Sequence, residues 1–427
     1  MERDAYDLVV IGGGSAGLTG ARTAARLGAR TLLVERDRLG GDCLWRGCVP
    51  SKALLHAAAR GATFPEAMAA VRRARRAVEP QDSAEALARE GVEVAWGAAT
   101  FTGPRTLSAG DRRVRFRYAL LATGSAPAAG HGAGELNSDT LWEVDALPKR
   151  VFVRGGGPVG CELAQALARL GARVTLAELG ARLLPGEEPR AGELVRAALE
   201  ADGVRVVTGR EARPRDGERL LDATGRRAAT GGLGLAAAHV STGERGQVRV
   251  DGRLRTSNRR VYAAGDVTGR SAFTHLAGVQ AASAVVHALL GVRRPVEYTA
   301  VPRVTFTDPE VAAVGTSAGA RQRVLAHDEV DRAIAEDRTD GYTSLTLDRR
   351  GRVVGATVVA PRAGETIAHL ATAVRLGWTP ARYARTVHPY PTYADGPWQA
   401  ALTQVYADLR ASRVTGPLLG LRRWLRR

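Results

Sequence analysis

A strand, a glycine-rich turn and a helix follow one another twice in this chain of 427 residues, and that repeat limits the fold more than any other feature. In the first copy the apolar run Leu8-Val9-Val10-Ile11 enters Gly12-Gly13-Gly14-Ser15-Ala16-Gly17 and an alanine-rich stretch ending near Gly28. A second run, Thr31-Leu32-Leu33-Val34, closes on Glu35, 23 residues after Gly12. The pattern recurs as Val151-Phe152-Val153, Gly155-Gly156-Gly157-Pro158-Val159-Gly160, an Ala/Leu helix, Val174-Thr175-Leu176-Ala177 and Glu178, again 23 residues after Gly155. Gly12, Gly14 and Gly17, like Gly155, Gly157 and Gly160, permit a tight turn and the close approach of a pyrophosphate to a helix N-terminus. The acid ending each second strand suits ribose hydroxyls. Similar closing segments follow at Leu120-Leu121-Ala122-Thr123-Gly124 and Leu221-Asp222-Ala223-Thr224-Gly225. Two bound dinucleotides are expected, the alternative being a second copy that has lost its ligand.

The segment Gly40-Gly41-Asp42-Cys43-Leu44-Trp45-Arg46-Gly47-Cys48-Val49-Pro50-Ser51-Lys52 carries two of the three cysteines. Their spacing suits a redox disulfide; a structural disulfide, or two unrelated thiols at a helix cap, is the alternative. A helix starting near Cys48 would turn its unpaired amides and positive end toward that sulfur and favour the thiolate. Pro50 fits just inside such a start, where an amide donor is expendable. Of 61 basic residues only Lys52 and Lys149 are lysine, so lysine at position 52 runs against a strong arginine bias and points to a need for a compact ammonium.

The length admits about three domains. The charged N-terminus, Met1-Glu2-Arg3-Asp4, shows neither a secretory nor a transit signal, and a cytoplasmic location is expected. The longest stretch without charged side chains, Ser271 to Val292, is punctuated by Thr274, His275, Gln280, Ser283 and His287, which predicts a buried helix rather than a membrane span. One redox pair plus Cys161 as a small core residue suits a reducing compartment. The net charge of +17 is spread along the chain and concentrates only at Arg72-Arg73-Ala74-Arg75-Arg76 and in the tail Leu421 to Arg427. Neither cluster accompanies a zinc-finger, RRM-like or helix-turn-helix signature, so no nucleic-acid partner is expected and the first cluster reads as a solvated helix face.

Taken together, these residues resemble the pyridine nucleotide-disulfide oxidoreductase family, the flavoenzymes that include glutathione reductase, dihydrolipoyl dehydrogenase and mercuric reductase, with mercuric reductase the nearest branch. The likeness covers almost the whole chain. It adds to the motifs above Glu162 at the end of the second fingerprint, Ala223-Thr224-Gly225-Arg226-Arg227, Tyr262-Ala263-Ala264-Gly265-Asp266-Val267, Thr307-Asp308-Pro309-Glu310 and Ala363-Gly364-Glu365. It implies an α/β fold of two doubly wound, Rossmann-like dinucleotide-binding domains plus a C-terminal α+β dimerisation domain. The FAD domain would span 1–140 and 249–298, the inserted NAD(P) domain 141–248, and the dimerisation domain with its basic tail 299–427. FAD would lie against the first glycine turn, Glu35, Lys52, Thr123, Gly124 and Asp266, the last at the flavin ribitol. NADH or NADPH would take the second turn with Glu178 and Gly225. A carboxylate at 178 suits a free 2′-hydroxyl and repels a 2′-phosphate, which favours NADH. Arg182, within Arg182-Leu183-Leu184-Pro185, does not by itself announce NADPH. A homodimer is implied.

In such enzymes hydride passes from nicotinamide to one flavin face and electrons leave the other face to a disulfide. Cys43 and Cys48 match that disulfide, with Cys48 nearer the flavin as the charge-transfer thiolate and Cys43 the more accessible interchange thiol. Lys52 would lie near flavin N5 paired with Glu162, since burying a lone ammonium costs several kcal/mol. Disulfide-reducing members present His-Pro-Thr and a later glutamate across the dimer, whereas this chain reads Tyr390-Pro391-Thr392-Tyr393-Ala394-Asp395. Tyr390 takes the histidine position and Asp395 that of the glutamate. A phenol titrating near 10 is a poor proton exchanger at neutral pH, and His388 reads as structural. Mercuric reductase also uses tyrosine there, since soft Hg(II) needs thiolates, but it carries a C-terminal cysteine pair and no cysteine follows Cys161 here.

The expected activity is therefore electron transfer from NAD(P)H through FAD and the cysteine pair to an acceptor left open among quinones, a small redox protein, oxidised thiols and soft metal ions, with no resident metal. One alternative is a quinone or diaphorase-type reductase that uses the flavin directly. Another is dihydrolipoyl dehydrogenase or a related disulfide reductase. A third, of a different class, is an interaction protein that keeps the flavoprotein shell and makes weak membrane-surface contact through its apolar and basic tail.

Overall fold

The computed structural model describes residues 5–128, 135–270, 272–293 and 295–424. Positions 1–4 of the N-terminus, Ser271 of the uncharged stretch and positions 425–427 of the basic tail, read above, lie outside the described residues. Contacts divide the chain into two units, one of 1–155, 166–176 and 213–296, the other of 156–165, 177–212 and 297–427.

The chain opens as its periodicity requires, with β1 (Ala5–Ile11), α1 (Ser15–Arg26) and β2 (Thr31–Glu35). Four helices follow: α2 (Gly41–Trp45), α3 (Cys48–Ala59), α4 (Phe64–Val78) and α5 (Ala84–Arg89). Next come β3 (Val92–Trp96), β4 (Ala99–Gly103), β5 (Thr106–Ala109), β6 (Arg112–Leu121), β7 (Ser125–Pro127) and β8 (Leu136–Asn137). The second copy supplies β9 (Arg150–Arg154), α6 (Pro158–Arg169), β10 (Arg173–Glu178), α7 (Pro189–Ala201), β11 (Arg205–Thr208), β12 (Arg219–Asp222) and β13 (Arg226–Ala228). Thereafter the chain returns to the first sheet with β14 (Val261–Ala263) and α8 (Thr274–Leu290).

The first sheet runs β3-β2-β1-β6-β5-β4, with β14 beside the end of β6. The β1–β2, β1–β6, β2–β3 and β6–β14 pairs are parallel, while β4 and β5 add an antiparallel edge. Leu8, Val9, Val10, Leu32 and Leu33 are buried, as continuous apolar runs in a sheet covered on both faces should be. The pairings Ile11↔Val34, Ile11↔Leu121 and Ala263↔Leu121 bring the C-terminal ends of four strands to one edge. That is where open α/β sheets bind ligands. α8 is the expected buried helix of the uncharged stretch; its Ala281, Ala284 and Val285 share a core with Ala21 and Ala24 of α1. The second copy forms a five-stranded sheet, β11-β10-β9-β12-β8, and β13 pairs antiparallel with β7.

The C-terminal region is antiparallel instead. Strands β15 (Arg303–Thr305), β16 (Glu310–Gly315), β17 (Arg321–Ala326), β18 (Tyr342–Leu347) and β19 (Val353–Ala360) pair in the order β15-β16-β19-β18-β17. Short α9 (Asp331–Ala335) precedes β18; α10 (Ala363–Arg375), α11 (Pro380–Ala384), α12 (Asp395–Ala411) and α13 (Thr415–Trp424) follow β19. Ile367 and Leu370 of α10 and Ala400 of α12 meet Ala312, Leu345 and Val358 in one core. On α13, Leu418, Leu419, Leu421 and Trp424 are exposed. No helix among the described residues is long and apolar enough to cross a membrane.

Candidate functional site

A cavity of about 830 Å³ opens where β1, β2, β6 and β14 end. Its floor is the first glycine turn. Gly12 has φ +100°, and a Cβ there would lie 2.6 Å from the Ala122 carbonyl oxygen. At Gly17 a Cβ would lie 1.8 Å from the Gly12 oxygen, whereas at Gly14 the nearest neighbour is Gly41 Cα at 3.8 Å. No side chain caps α1 and its first turn holds no acid, so its leading amides are available to an anion. Glu35 pins the turn: its Oε2 accepts from the Gly13 amide at 2.6 Å and its Oε1 from the Arg36 and Asp37 amides, each at 2.8 Å. Thr123 Oγ1 donates to the Ala229 carbonyl at 2.7 Å, and the Gly124 carbonyl accepts from the Ala229 amide at 3.0 Å. Asp266 accepts from Ser125 Oγ at 2.7 Å. Open amides, a cavity of this size and a buried Arg75 Nε with no partner fit an adenine dinucleotide.

Cys43 projects from α2 into this cavity, and Cys48 is the first residue of α3, as its surroundings in the sequence predict. Both are free thiols. The two titrate apart. Hydrogen bonding from Cys43 brings Cys48 down to about 6 against the pull of burial, with help from Thr274 and the Lys52 charge. Cys43 is raised, by the bond to Cys48 and by burial. Thr274 is the first residue of α8, and its Oγ1 stands 3.3 Å from Cys48 Sγ, so two helix N-termini converge on one sulfur. Cys48 is exposed and Cys43 half-buried. Lys52 Nζ donates to Ser51 Oγ at 3.3 Å.

Thr274→Ala removes one donor to a charged sulfur. In the reduced protein the Cys48 titration, followed by thiolate absorbance, is expected to move up by roughly one pH unit, the worth of one such hydrogen bond. An unmoved titration would show that Thr274 does not hold the thiolate.

Asp42, beside Cys43, is joined to Arg226 of β13. The same guanidinium donates to Ser125 Oγ and O, each at 2.8 Å, to Ser138 Oγ at 3.0 Å and to Asp139 Oδ1 at 3.1 Å. Because Ser125 in turn donates to Asp266, Arg226 ties the cysteine loop to the carboxylate at the end of β14. Burial raises the Asp42 carboxyl, and Arg226 opposes that rise.

The second copy repeats the first closely. Gly155 has φ +110°, and a Cβ there would lie 2.7 Å from the Ala223 oxygen. Gly157 faces open space, Gly160 is buried in α6, and Gly225 has φ +144°. Glu178 accepts from the Gly156 and Gly180 amides, each at 2.7 Å, as Glu35 does in its own turn. Arg182 is turned back on its loop, donating to the Pro185 carbonyl at 2.7 Å and the Glu187 carbonyl at 3.2 Å. Glu162 is buried, and its Oε1 accepts from the Phe306 amide at 2.9 Å. Cys161 is a buried core thiol, as expected, bonded to the Gly156 carbonyl at 3.4 Å.

Tyr390 is 69 % exposed and donates to Asp331 Oδ2 at 2.6 Å, a bond that raises its phenol further. Asp395 starts α12 and accepts from Gln399 at 2.6 Å. His388 packs against the rings of His369 and Tyr383, with Nδ1 on the Thr386 carbonyl at 2.8 Å, and burial lowers it. Its setting is a packed one.

Thr274, Asp42 and Arg226 carry geometry that the motifs did not assign to them. Arg226 sits in the quoted ATGRR segment and Asp42 beside Cys43, so both were in view. The pentad Arg72 to Arg76 is not wholly a solvated face either: Arg72, Arg73 and Arg76 are exposed, but Arg75 lines the cavity.

The family model described as pyridine nucleotide-disulphide oxidoreductase matches residues 6–283, and that of the corresponding dimerisation domain matches 301–401. A mercuric reductase of Streptomyces lividans is 38% identical over 93% of this chain and 96% of its own. A dihydrolipoyl dehydrogenase of Thermus scotoductus is 34% identical over 93% and 96%. Among solved structures, the Cu(II) complex of the HOCl-induced flavoprotein disulfide reductase RclA from Escherichia coli superposes with a TM-score of 0.86 at 25% identity, over 94% of this chain and 99% of that one. LpdA from Mycobacterium tuberculosis gives 0.86 at 28% identity, over 93% and 99%.

Proposed function

The chain belongs to the pyridine nucleotide-disulphide oxidoreductases, and on that premise we propose that it carries electrons from NAD(P)H through FAD to the Cys43–Cys48 pair and on to a thiophilic acceptor. The observation that carries this reading is geometric: Cys48 stands at the N-terminus of α3 with Thr274, the first residue of α8, 3.3 Å from its sulfur, while Cys43 lines the cavity. Bound FAD would supply two-electron transfer between the nicotinamide and the disulfide. A hydride equivalent delivered to that disulfide breaks the S–S bond and yields one thiol and one thiolate, with no proton left over. Cys43, raised, holds the proton; Cys48, near 6, holds the charge at neutral pH.

FAD is assigned to the first glycine turn with Glu35, Thr123, Gly124 and Asp266, and the nicotinamide dinucleotide to the second with Glu178 and Gly225. The three-part division at 1–140 with 249–298, 141–248 and 299–427 follows from that assignment. NADH is preferred to NADPH, because Glu178 would repel a 2′-phosphate and Arg182 is engaged by its own loop. Lys52 is assigned to the flavin side of the first site. Two copies form a homodimer through the dimerisation domain, each lending Tyr390 and Asp395 to the other's cysteines. An exposed phenol raised by Asp331 is a weak proton donor, which favours an acceptor that needs thiolates more than protons, such as a soft metal ion.

Cys43→Ser tests the route. Turnover of NADH with thiophilic acceptors is expected to disappear while reduction of a quinone directly by the flavin persists. Undiminished turnover with every acceptor would mean that the cysteines are bypassed.

A further inference from the structure

Arg75 leaves the solvated side of α4 and enters the cavity. One guanidinium nitrogen donates to the Trp45 carbonyl, the group lies 5.6 Å from the centre of the Trp142 ring, and Nε is buried with no partner. Among the described residues it makes no ion pair. Arg36 also makes none, but unlike Arg75 it is exposed; Arg38 and Arg46 are engaged by carboxylates. Six carboxylates and four guanidiniums line the cavity, and Arg46 lies 3.6 Å from Asp37, 3.7 Å from Asp42 and 3.9 Å from Asp139. Arg38 lies 3.9 Å from Asp37. A lining with an excess of carboxylates is hostile to a pyrophosphate unless an uncommitted cation stands near it.

We infer that Arg75 is a ligand of the FAD pyrophosphate, an inference that rests on the placement of FAD at the first glycine turn. Its position supports this. Arg75 holds the last residue of α2, and the first residue of α2, Gly41, packs against Gly14 at the start of α1. A five-residue helix is about 7.5 Å long, so the guanidinium is anchored within side-chain reach of the amides that receive the phosphates. Burial also weighs against the Arg75 charge, and an anion relieves that cost. A guanidinium with a free Nε and a fixed plane suits bidentate contact with phosphate oxygens.

The test is titration calorimetry on the full-length chain stripped of flavin, in wild type, Arg75→Gln and Arg75→Lys, with FAD, ADP and adenosine as ligands. Arg75→Gln should weaken FAD and ADP by roughly 10- to 100-fold and leave adenosine within about 2-fold of wild type, with Arg75→Lys between. Retained adenosine binding also shows that the variant is folded. Equal losses for ADP and adenosine would move the role of Arg75 to the adenine or to the fold, and unchanged ADP binding would remove the role; either result overturns the inference. Failure of the wild type to bind FAD would instead overturn the placement of FAD at this turn.

Discussion

Gly17→Ala is expected to yield a chain that retains no FAD and whose first unit is destabilised by about 3 kcal/mol or more. The added methyl would sit 1.8 Å from the Gly12 carbonyl oxygen. Neither side can yield: Gly12 is held at φ +100° with the Ala122 oxygen in the space of its own Cβ, and Gly17 is buried at the start of α1. Ordinary overpacking costs about 1–3 kcal/mol through side-chain shifts, and here backbone must move. Gly14→Ala is the control, since its methyl would meet only Gly41 Cα at 3.8 Å. That variant should unfold at the wild-type temperature yet bind FAD more weakly, because the methyl enters the space of the pyrophosphate. Flavin content after gel filtration and thermal unfolding separate the two effects. Wild-type flavin content in Gly17→Ala would contradict the turn geometry.

Arg226→Ala should lower stability by roughly 1–3 kcal/mol, since it strips Asp42, Ser125, Ser138 and Asp139 of one shared donor and leaves the half-buried Asp42 carboxylate with only its longer contact to Arg46 at 3.7 Å. The Asp42 carboxyl, already raised by burial, would rise further without the guanidinium that opposes it. Arg226→Lys is expected to recover only part of the loss, because an ammonium cannot reach partners arranged around a planar fork. Thermal unfolding measures the loss, and alkylation of Cys43, faster in a loosened loop, reports where it falls. Equal stability of the alanine variant and wild type would show that Arg226 does not bind the cysteine loop to β13.

Local chemistry made much of this legible in the sequence. The glycine turns and their terminal acids are short-range patterns, and both turns fold as those patterns require; that Glu35 and Glu178 also accept from the Gly13 and Gly156 amides and pin each turn is a contact the sequence pattern did not announce. Pro50 announced the start of α3, and with it the helix end at Cys48. What the chain brings together over long separations was not legible. Thr274 is 226 residues from Cys48, and Arg226 is 184 from Asp42, so nothing local marks either pairing. Arg75 is a different case. It follows the buried Val71 by four residues and therefore shares its face of α4, so helical period alone could have separated it from Arg72, Arg73 and Arg76.

The most direct measurement is an anaerobic titration of the flavin-loaded protein with NADH, followed by absorbance in wild type and in Cys48→Ser. A long-wavelength charge-transfer band that appears in the wild type and is missing from Cys48→Ser is the predicted result, since only a thiolate at position 48 can give it. Bleaching of the flavin without that band, identical in both proteins, would contradict the transfer of electrons to the Cys43–Cys48 pair.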